Sequence, residues 1–209
     1  RFDPAYSKIK ELLEQKTLGT VQRLSWTLTH WYRPDIYYSV SDWRGTWLGE
    51  GGGLLVNQCI HNLDIVNWWF GTPTELWAQC GWGKYHDIEV EDEVSAILNF
   101  KNGLTGSFIS STGEAPGINQ LDIIGDDGSL SYDGETLKLK KLAVNRAKHC
   151  AETDEMFSVP DCEETTIDLA NGINQHQQLI QQFTDAVLNG TENLFDANTA
   201  SGSLEMANA

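Results

Sequence analysis

Between Val21 and Tyr32 apolar and polar positions alternate. Leu24, Trp26, Leu28, His30 and Tyr32 fall on one side, and Arg23, Ser25, Thr27 and Thr29 on the other. A period of two predicts a half-buried strand. The stretch before it has a helical period: Asp3 can cap, Pro4 suits a first helical position, and Ile9, Leu12 and Leu13 share one side of a run to Lys16. Gly19 stands where that helix should stop. Residues 54–70 read as a second helix, closed by Gly71 and Pro73, and residues 174–188 as a third. Between them the period returns close to two, predicting strands at 74–81, 93–100, 104–111, 119–124, 129–132 and 136–141. The links Lys101-Asn102-Gly103, Gly125-Asp126-Asp127-Gly128 and Asp133-Gly134 have hairpin chemistry.

Short links between neighbouring strands imply a largely antiparallel sheet. With helices at both ends the fold class is α+β: a large open, mostly antiparallel sheet with helices on one face. The predicted helices cover about one face, so the other meets solvent or a second subunit. Residues 33–47 read as an aromatic, turn-rich loop and residues 142–172 as irregular and acidic.

Charge narrows the function. Against 30 Asp and Glu stand 14 Lys and Arg, a net charge of −16 in 209 residues. Nucleic-acid grooves and anionic membrane surfaces need Lys and Arg to replace counterions, so both are poor partners. No apolar run reaches the ~20 residues of a membrane span. A chain of this length buries roughly 70% of its unfolded surface, enough for one domain. The four cysteines have no CxxC spacing, which fits free thiols in a reducing compartment and a cytoplasmic protein. The chain opens on Arg1-Phe2-Asp3-Pro4 and ends in helix formers without a stop signal, so it reads as a piece of a longer protein.

Candidate chemistry concentrates between Tyr37 and Asp64. Gly51-Gly52-Gly53 opens the second predicted helix and would let other groups approach its N-terminus closely. A phosphate cradle is a weak reading of that triplet. Leu54 breaks any GxGxxG, no P-loop Lys follows, and Glu50 would repel an anion. On a helix spanning 54–70, Asn57, His61 and Asp64 would form one stripe at i, i+4 and i+7. A histidine between an amide and a carboxylate suits general acid–base work, while a polar stripe that caps neighbouring loops is an equal alternative. His30, His61, Asp64, His86, Asp87 and Glu89 have no metal-ligand spacing, and no metal is expected. The eight tryptophans either fill the core or offer flat surfaces to sugars.

These residues carry a resemblance. The runs WRGTWLGEGGGLLVNQCIHNLDIVNWWFG, RFDPAYSKIKELLEQKTLG and GKYHDIEVEDEVSAILNFKNGLTGSFISSTGEAPG resemble the C-terminal domain of the glucose–fructose oxidoreductase / inositol dehydrogenase (Gfo/Idh/MocA) family, over nearly the whole chain. The resemblance implies a substrate-binding and oligomerisation domain at residues 1–209, with a Rossmann domain upstream that binds NAD or NADP. A Glu-Lys-Pro motif there supplies a catalytic Lys, and the last helix continues beyond Ala209. It implies hydride transfer to or from a sugar, polyol or related alcohol, with the open sheet face building dimers or tetramers. The fragment alone would hold no cofactor and be inactive.

By the same resemblance His61 matches the catalytic histidine and Asp64 a substrate-hydroxyl ligand. Asn57 falls where many members have Asp; an amide can hydrogen-bond substrate or His61 but holds no charge. Trp43 and Arg44 are expected to wall the pocket with Tyr37 and Tyr38. His86 is expected at the pocket mouth or in the oligomer contact. Two other readings fit the residues: a stand-alone carbohydrate-binding module, and a non-catalytic oligomerisation domain of a degenerate dehydrogenase.

Overall fold

The computed structural model describes residues 1–169, 174–193, 195 and 197–209. Its strands are β1 (Val21–Leu28), β2 (Glu75–Trp82), β3 (Glu91–Asn99), β4 (Thr105–Ser111), β5 (Asn119–Gly125), β6 (Gly128–Tyr132), β7 (Leu137–Leu142) and β8 (Cys162–Ile167). Its helices are α1 (Pro4–Glu14), α2 (Asp35–Ser39), α3 (Ile60–Phe70), α4 (Arg146–Glu152), α5 (Gln175–Asn189) and α6 (Ala197–Asn208). The strands form one open sheet in the order β2-β3-β4-β1-β5-β6-β7-β8. Every neighbouring pair is antiparallel except β1 with β4, which run parallel with Leu24 opposite Gly106 and Leu28 opposite Ser110.

One face of the sheet is buried under α1 and α3. Asp3 caps α1 by accepting from the N–H groups of Ala5 and Tyr6 at 2.9 and 3.2 Å, a cap worth about 1 kcal/mol. Ala5, Ile9 and Leu12 of α1 and Leu63, Ile65, Val66 and Trp69 of α3 are buried. They join Leu24, Trp26 and Leu28 of β1, Val94 and Leu98 of β3, Phe108 of β4 and Ile123 of β5. Trp26 is fully buried, with Trp69 at 5.9 Å, Tyr6 at 5.7 Å and Phe108 at 6.2 Å between ring centroids. Its indole N–H donates to Asn119 at 2.9 Å, so the polar end of this ring is satisfied inside the core. Trp26 and Trp69 therefore answer to the core reading of tryptophan, whereas Trp43, Trp47, Trp77 and Trp82 are exposed.

The opposite sheet face carries Ser25, Thr27 and Ser107, with Ser107 donating to Ser25 at 3.0 Å. Near its β2 edge Trp77, Ile97 and Ile109 stand exposed, with Trp77 and Ile97 paired across strands.

Four expectations shift. The strand predicted to Tyr32 ends at Leu28, because Thr29 exchanges hydrogen bonds with Ile118 through its N–H and hydroxyl; His30 instead stacks on Trp31 at 4.5 Å. The helix predicted from 54 begins only at Ile60. Residues 142–169 are not irregular throughout, since they contain α4 and β8; residues 170–172 of that stretch lie outside the described residues. The loop at 33–47 contains α2, one short helical turn.

The late start of α3 has a cause distant in sequence. The Glu91 carboxylate accepts from Gly53 N–H at 3.0 Å and Leu55 N–H at 2.9 Å, and the Glu91 carbonyl accepts from Leu54 N–H at 2.9 Å. Residues 53–55 are thus docked along the start of β3 rather than coiled. A Cβ on Gly53 would lie 2.1 Å from the Glu91 carbonyl oxygen, and Gly51 sits at φ 78°. Close approach of this protein's own strand explains Gly53, whereas Gly51 is required by its positive φ.

Candidate functional site

His61 is the second residue of α3 and is exposed. It borders a cleft of about 520 Å³ between helices, with Phe2, Tyr6 and Asp64 on one side and His176 and Leu179 of α5 on the other. Among the described residues no hydrogen bond engages its ring. Beside it, Asn62 is buried and lines the same cleft, and its Oδ1 has no hydrogen-bond partner among the described residues. An unpaired buried acceptor is costly unless something donates to it.

Asp64 lies one turn further along α3 and is already engaged. Arg1 donates to it from Nε at 2.9 Å and Nη2 at 2.8 Å, a two-pronged charge-assisted pair. The Arg1 guanidinium also packs on Trp68 at 5.9 Å and Phe195 at 5.3 Å. Asp64 therefore fixes the start of the chain against α3 at the rim of the cleft.

Asn57 is separated from the pair. It lies in the turn before α3, so the stripe of Asn57, His61 and Asp64 that a longer helix would make does not form. Its amide donates to Oε1 of Glu50, whose Oε2 accepts from Gly45 N–H at 2.7 Å. Asn57 thus ties the 44–50 loop to the turn. Gln58 beside it is buried and its amide reaches the Tyr37 hydroxyl at 3.4 Å.

The loop predicted to wall the pocket is built on that hydroxyl. The Arg44 guanidinium packs on the rings of Tyr37 at 4.6 Å and Trp43 at 4.8 Å, and Arg33 packs on Tyr37 at 5.0 Å and Trp31 at 5.8 Å. Tyr38 meets Tyr37 edge-on at 5.0 Å and lies 4.8 Å from the His86 ring. Its hydroxyl bonds to Thr112 Oγ1 at 3.2 Å, and burial raises its pKa. Tyr37, Tyr38, Trp43 and Arg44 are therefore one cluster; they do not line the His61 cleft, and Gln58 is their link to the His61 segment.

His86 is 8% exposed and borders a second opening, apart from the His61 cleft, that Tyr38 and Arg44 also line. Its Nε2 donates to the Arg33 carbonyl at 2.8 Å, and its Nδ1 lies 3.1 Å from Asp92 Oδ2. The fully buried Asp92 also accepts from the backbone N–H groups of Lys84, Tyr85 and His86 at 2.9, 2.8 and 3.1 Å. His86 anchors the Arg33 loop to β3.

Sequence reasoning passed over Arg1, Arg33, Asn62, Glu91, Asp92 and His176. Glu91 and Asp92 carried a signal, being acids directly before the buried run Val94, Ala96 and Leu98. Arg1, Arg33 and His176 matter through partners distant in sequence, which no spacing rule exposes. Cys59 is buried, bonds to Ser110 at 3.0 Å, and burial pushes its thiol up to about 12. Among the described residues no group of three or more His, Cys, Asp and Glu could hold a metal ion. No described helix is long and apolar enough to cross a membrane.

Fold and cleft together define an α+β domain with a small-molecule-sized opening between its helices. The chain belongs to the GFO/IDH/MocA family: the model of that family's C-terminal domain matches residues 6–131. Among curated relatives, trans-1,2-dihydrobenzene-1,2-diol dehydrogenase of Bos taurus is 31% identical over 117 residues, covering 53% of this chain and 31% of that protein. The uncharacterized oxidoreductase YrbE of Bacillus subtilis (strain 168) is 28% identical over 141 residues, covering 64% of this chain and 38% of that protein. Among solved structures, the WlbA dehydrogenase from Bordetella pertussis in complex with NADH and UDP-GlcNAcA has a TM-score of 0.72 at 23% identity, covering 97% of this chain and 56% of that one. Levoglucosan dehydrogenase in complex with NADH and levoglucosan has a TM-score of 0.74 at 18% identity, covering 99% and 59%. These two likenesses show a shared fold. The chain spans less than two thirds of the length of each of these relatives.

Proposed function

We propose that this chain is the substrate-binding part of an NAD- or NADP-dependent oxidoreductase acting on a sugar, polyol or related alcohol, with His61 as general acid–base. The observation that carries this reading is the unengaged imidazole of His61 beside the unpaired Asn62 acceptor, at the rim of a cleft in a chain of this family. The family likenesses support it: WlbA and levoglucosan dehydrogenase were each solved with NADH and a sugar ligand.

The glycine segment does not fit a dinucleotide. The amides of Gly53 and Leu55, the natural phosphate donors of the glycine segment, face the Glu91 carboxylate. The cofactor therefore belongs to residues outside this chain, and the redox chemistry is the cofactor's. What this chain contributes is binding, orientation and a proton carrier. Asn62 Oδ1 accepts from a substrate hydroxyl, and Asp64, held by Arg1, presents its remaining lone pairs at the same rim. His61 takes the proton from the reacting hydroxyl on oxidation and returns it on reduction.

The test is an assay of the full polypeptide that carries this chain, following reduced nicotinamide absorbance with a panel of sugars, polyols and sugar acids. Turnover of a member of the panel is expected; saturable sugar binding without any turnover overturns the reading in favour of a binding module. The same proposal assigns the exposed Trp77, Ile97 and Ile109 corner to self-association, as part of a homodimer or homotetramer. Sedimentation equilibrium is expected to give a dimer mass or larger, and a monomer overturns that assignment.

A further inference from the structure

Arg33 and Arg44 stand out in a chain with more than twice as many acids as bases. Arg1 and Arg146 each hold a carboxylate at 2.8–2.9 Å. Among the described residues Arg23, Arg33 and Arg44 hold none, and of these only Arg23 is exposed. Both guanidiniums pack within 5.0 Å of one ring, that of Tyr37, so the two positive charges lie no more than about 10 Å apart. Each Nε is buried with no hydrogen-bond partner among the described residues. Beyond that, Arg33 gives one bond to the Tyr32 carbonyl at 3.0 Å and Arg44 one long bond to the Ser41 hydroxyl at 3.4 Å.

Ring packing uses the flat face of a guanidinium and leaves its edge donors unengaged. Two like charges held near each other with edge donors unmatched are unfavourable on their own. An oxyanion accepts from guanidinium edges and neutralises positive charge; the donor open to it on each arginine is Nη2, which has no hydrogen-bond partner among the described residues, whereas the Nε atoms are sealed. The nearby acids do not take that place. Glu50 accepts from Gly45 N–H and the Asn57 amide, Glu89 accepts from Trp47 N–H at 3.0 Å, and Asp35, Asp42 and Asp87 are exposed.

The position is also fixed before any ligand arrives. Arg33 N–H donates to the Thr112 carbonyl at 2.8 Å while its own carbonyl accepts from His86, and Glu89 N–H donates to the Gly45 carbonyl at 2.8 Å next to Arg44. The loop is thus pinned at both arginines.

We propose that Arg33 and Arg44 form a subsite for an anionic oxygen group, a carboxylate or a phosphate, and that the molecule recognised is an acid rather than a neutral sugar. That this acid is the substrate rests on the dehydrogenase reading; the anion site itself does not. The Tyr37 hydroxyl places it against Gln58, three residues before His61.

The experiment is calorimetric titration of the full polypeptide with glucuronate, glucose 6-phosphate and glucose, at low and high NaCl. At least one anion is expected to bind tenfold or more tightly than glucose, with the preference shrinking as salt rises. Glucuronate alone would identify a carboxylate, glucose 6-phosphate alone a phosphate, and both a general oxyanion site. Arg33→Gln and Arg44→Gln are each expected to remove about tenfold of the preference. Arg44→Lys, which keeps the charge and loses the fork, is expected to remove less and guards against misfolding of the Gln variants. Equal affinity for all three probes, no saturable binding of either anion, or a preference unchanged in the double variant overturns the site. Anion binding without nicotinamide-dependent turnover leaves the site standing and removes the dehydrogenase reading instead.

Discussion

The surroundings of His61 and His86 put the same side chain under opposite conditions. His61 sits at the start of a helix, exposed, bordering a cleft, with no described partner on its ring. His86 is 8% exposed, with a carbonyl on one nitrogen and a buried carboxylate on the other. An imidazole whose two nitrogens are already hydrogen-bonded inside the protein cannot approach a reacting hydroxyl without breaking a contact that holds a loop. One whose nitrogens are unengaged contributes little to the fold and is available for proton transfer. The comparison teaches that engagement of the ring, rather than the presence of neighbouring polar residues in sequence, separates a catalytic candidate from a structural one.

The sharpest way to break the contrast is His61→Ala. Turnover of the full polypeptide is expected to fall by about 10²–10⁴-fold, the usual worth of a general acid–base. Stability should move by no more than about 0.5 kcal/mol, as for an exposed residue away from the core. A fall in substrate affinity as large as the fall in turnover would sink the acid–base assignment. His86→Ala should do the reverse. It removes the partner of a buried carboxylate and the tether of Arg33, and is expected to cost about 3 kcal/mol, read as a lower urea midpoint. Asp92 keeps its three backbone donors in that variant, which holds the cost below that of an entirely abandoned buried charge. An unchanged midpoint would show that the Arg33 loop is held by its remaining contacts.

Legibility followed locality. The strands between 75 and 142 could be read to within about two residues, because most of them bury one face and several turn at Gly, Asn or Asp within a few residues of a partner. The start of α1 was legible for the same reason, its capping bonds spanning two and three residues. β8 was not: it is an edge strand with almost every position exposed, so Cys162 to Ile167 shows no apolar alternation. The start of α3 was hidden because the group that unwinds residues 53–55 is Glu91, on another strand. Around the candidate site, the family resemblance singled out His61 and the Tyr37–Arg44 stretch. Neither the Asp64–Arg1 pair nor the His86–Arg33 contact could be read from the sequence, since these partners lie 63 and 53 residues apart and meet only in the folded chain.

The parallel pairing of β1 with β4 has a consequence for how the chain assembles. β2-β3-β4 and β5-β6-β7-β8 are two meanders, each made of strands that follow one another in sequence. β1 is the seam between them, pairing Leu24 with Gly106 on one side and Ile123 on the other. Neither meander can be closed into the sheet by its own turns, and β1 must wait for partners some eighty to a hundred residues downstream. Closing such long loops comes late and slows folding. Until it happens, β4 and β5 each present an unpaired edge, the kind of surface on which nascent chains stick to one another. The strand that carries Trp26 into the core is thus also the clasp that keeps two half-sheets from meeting the wrong neighbour.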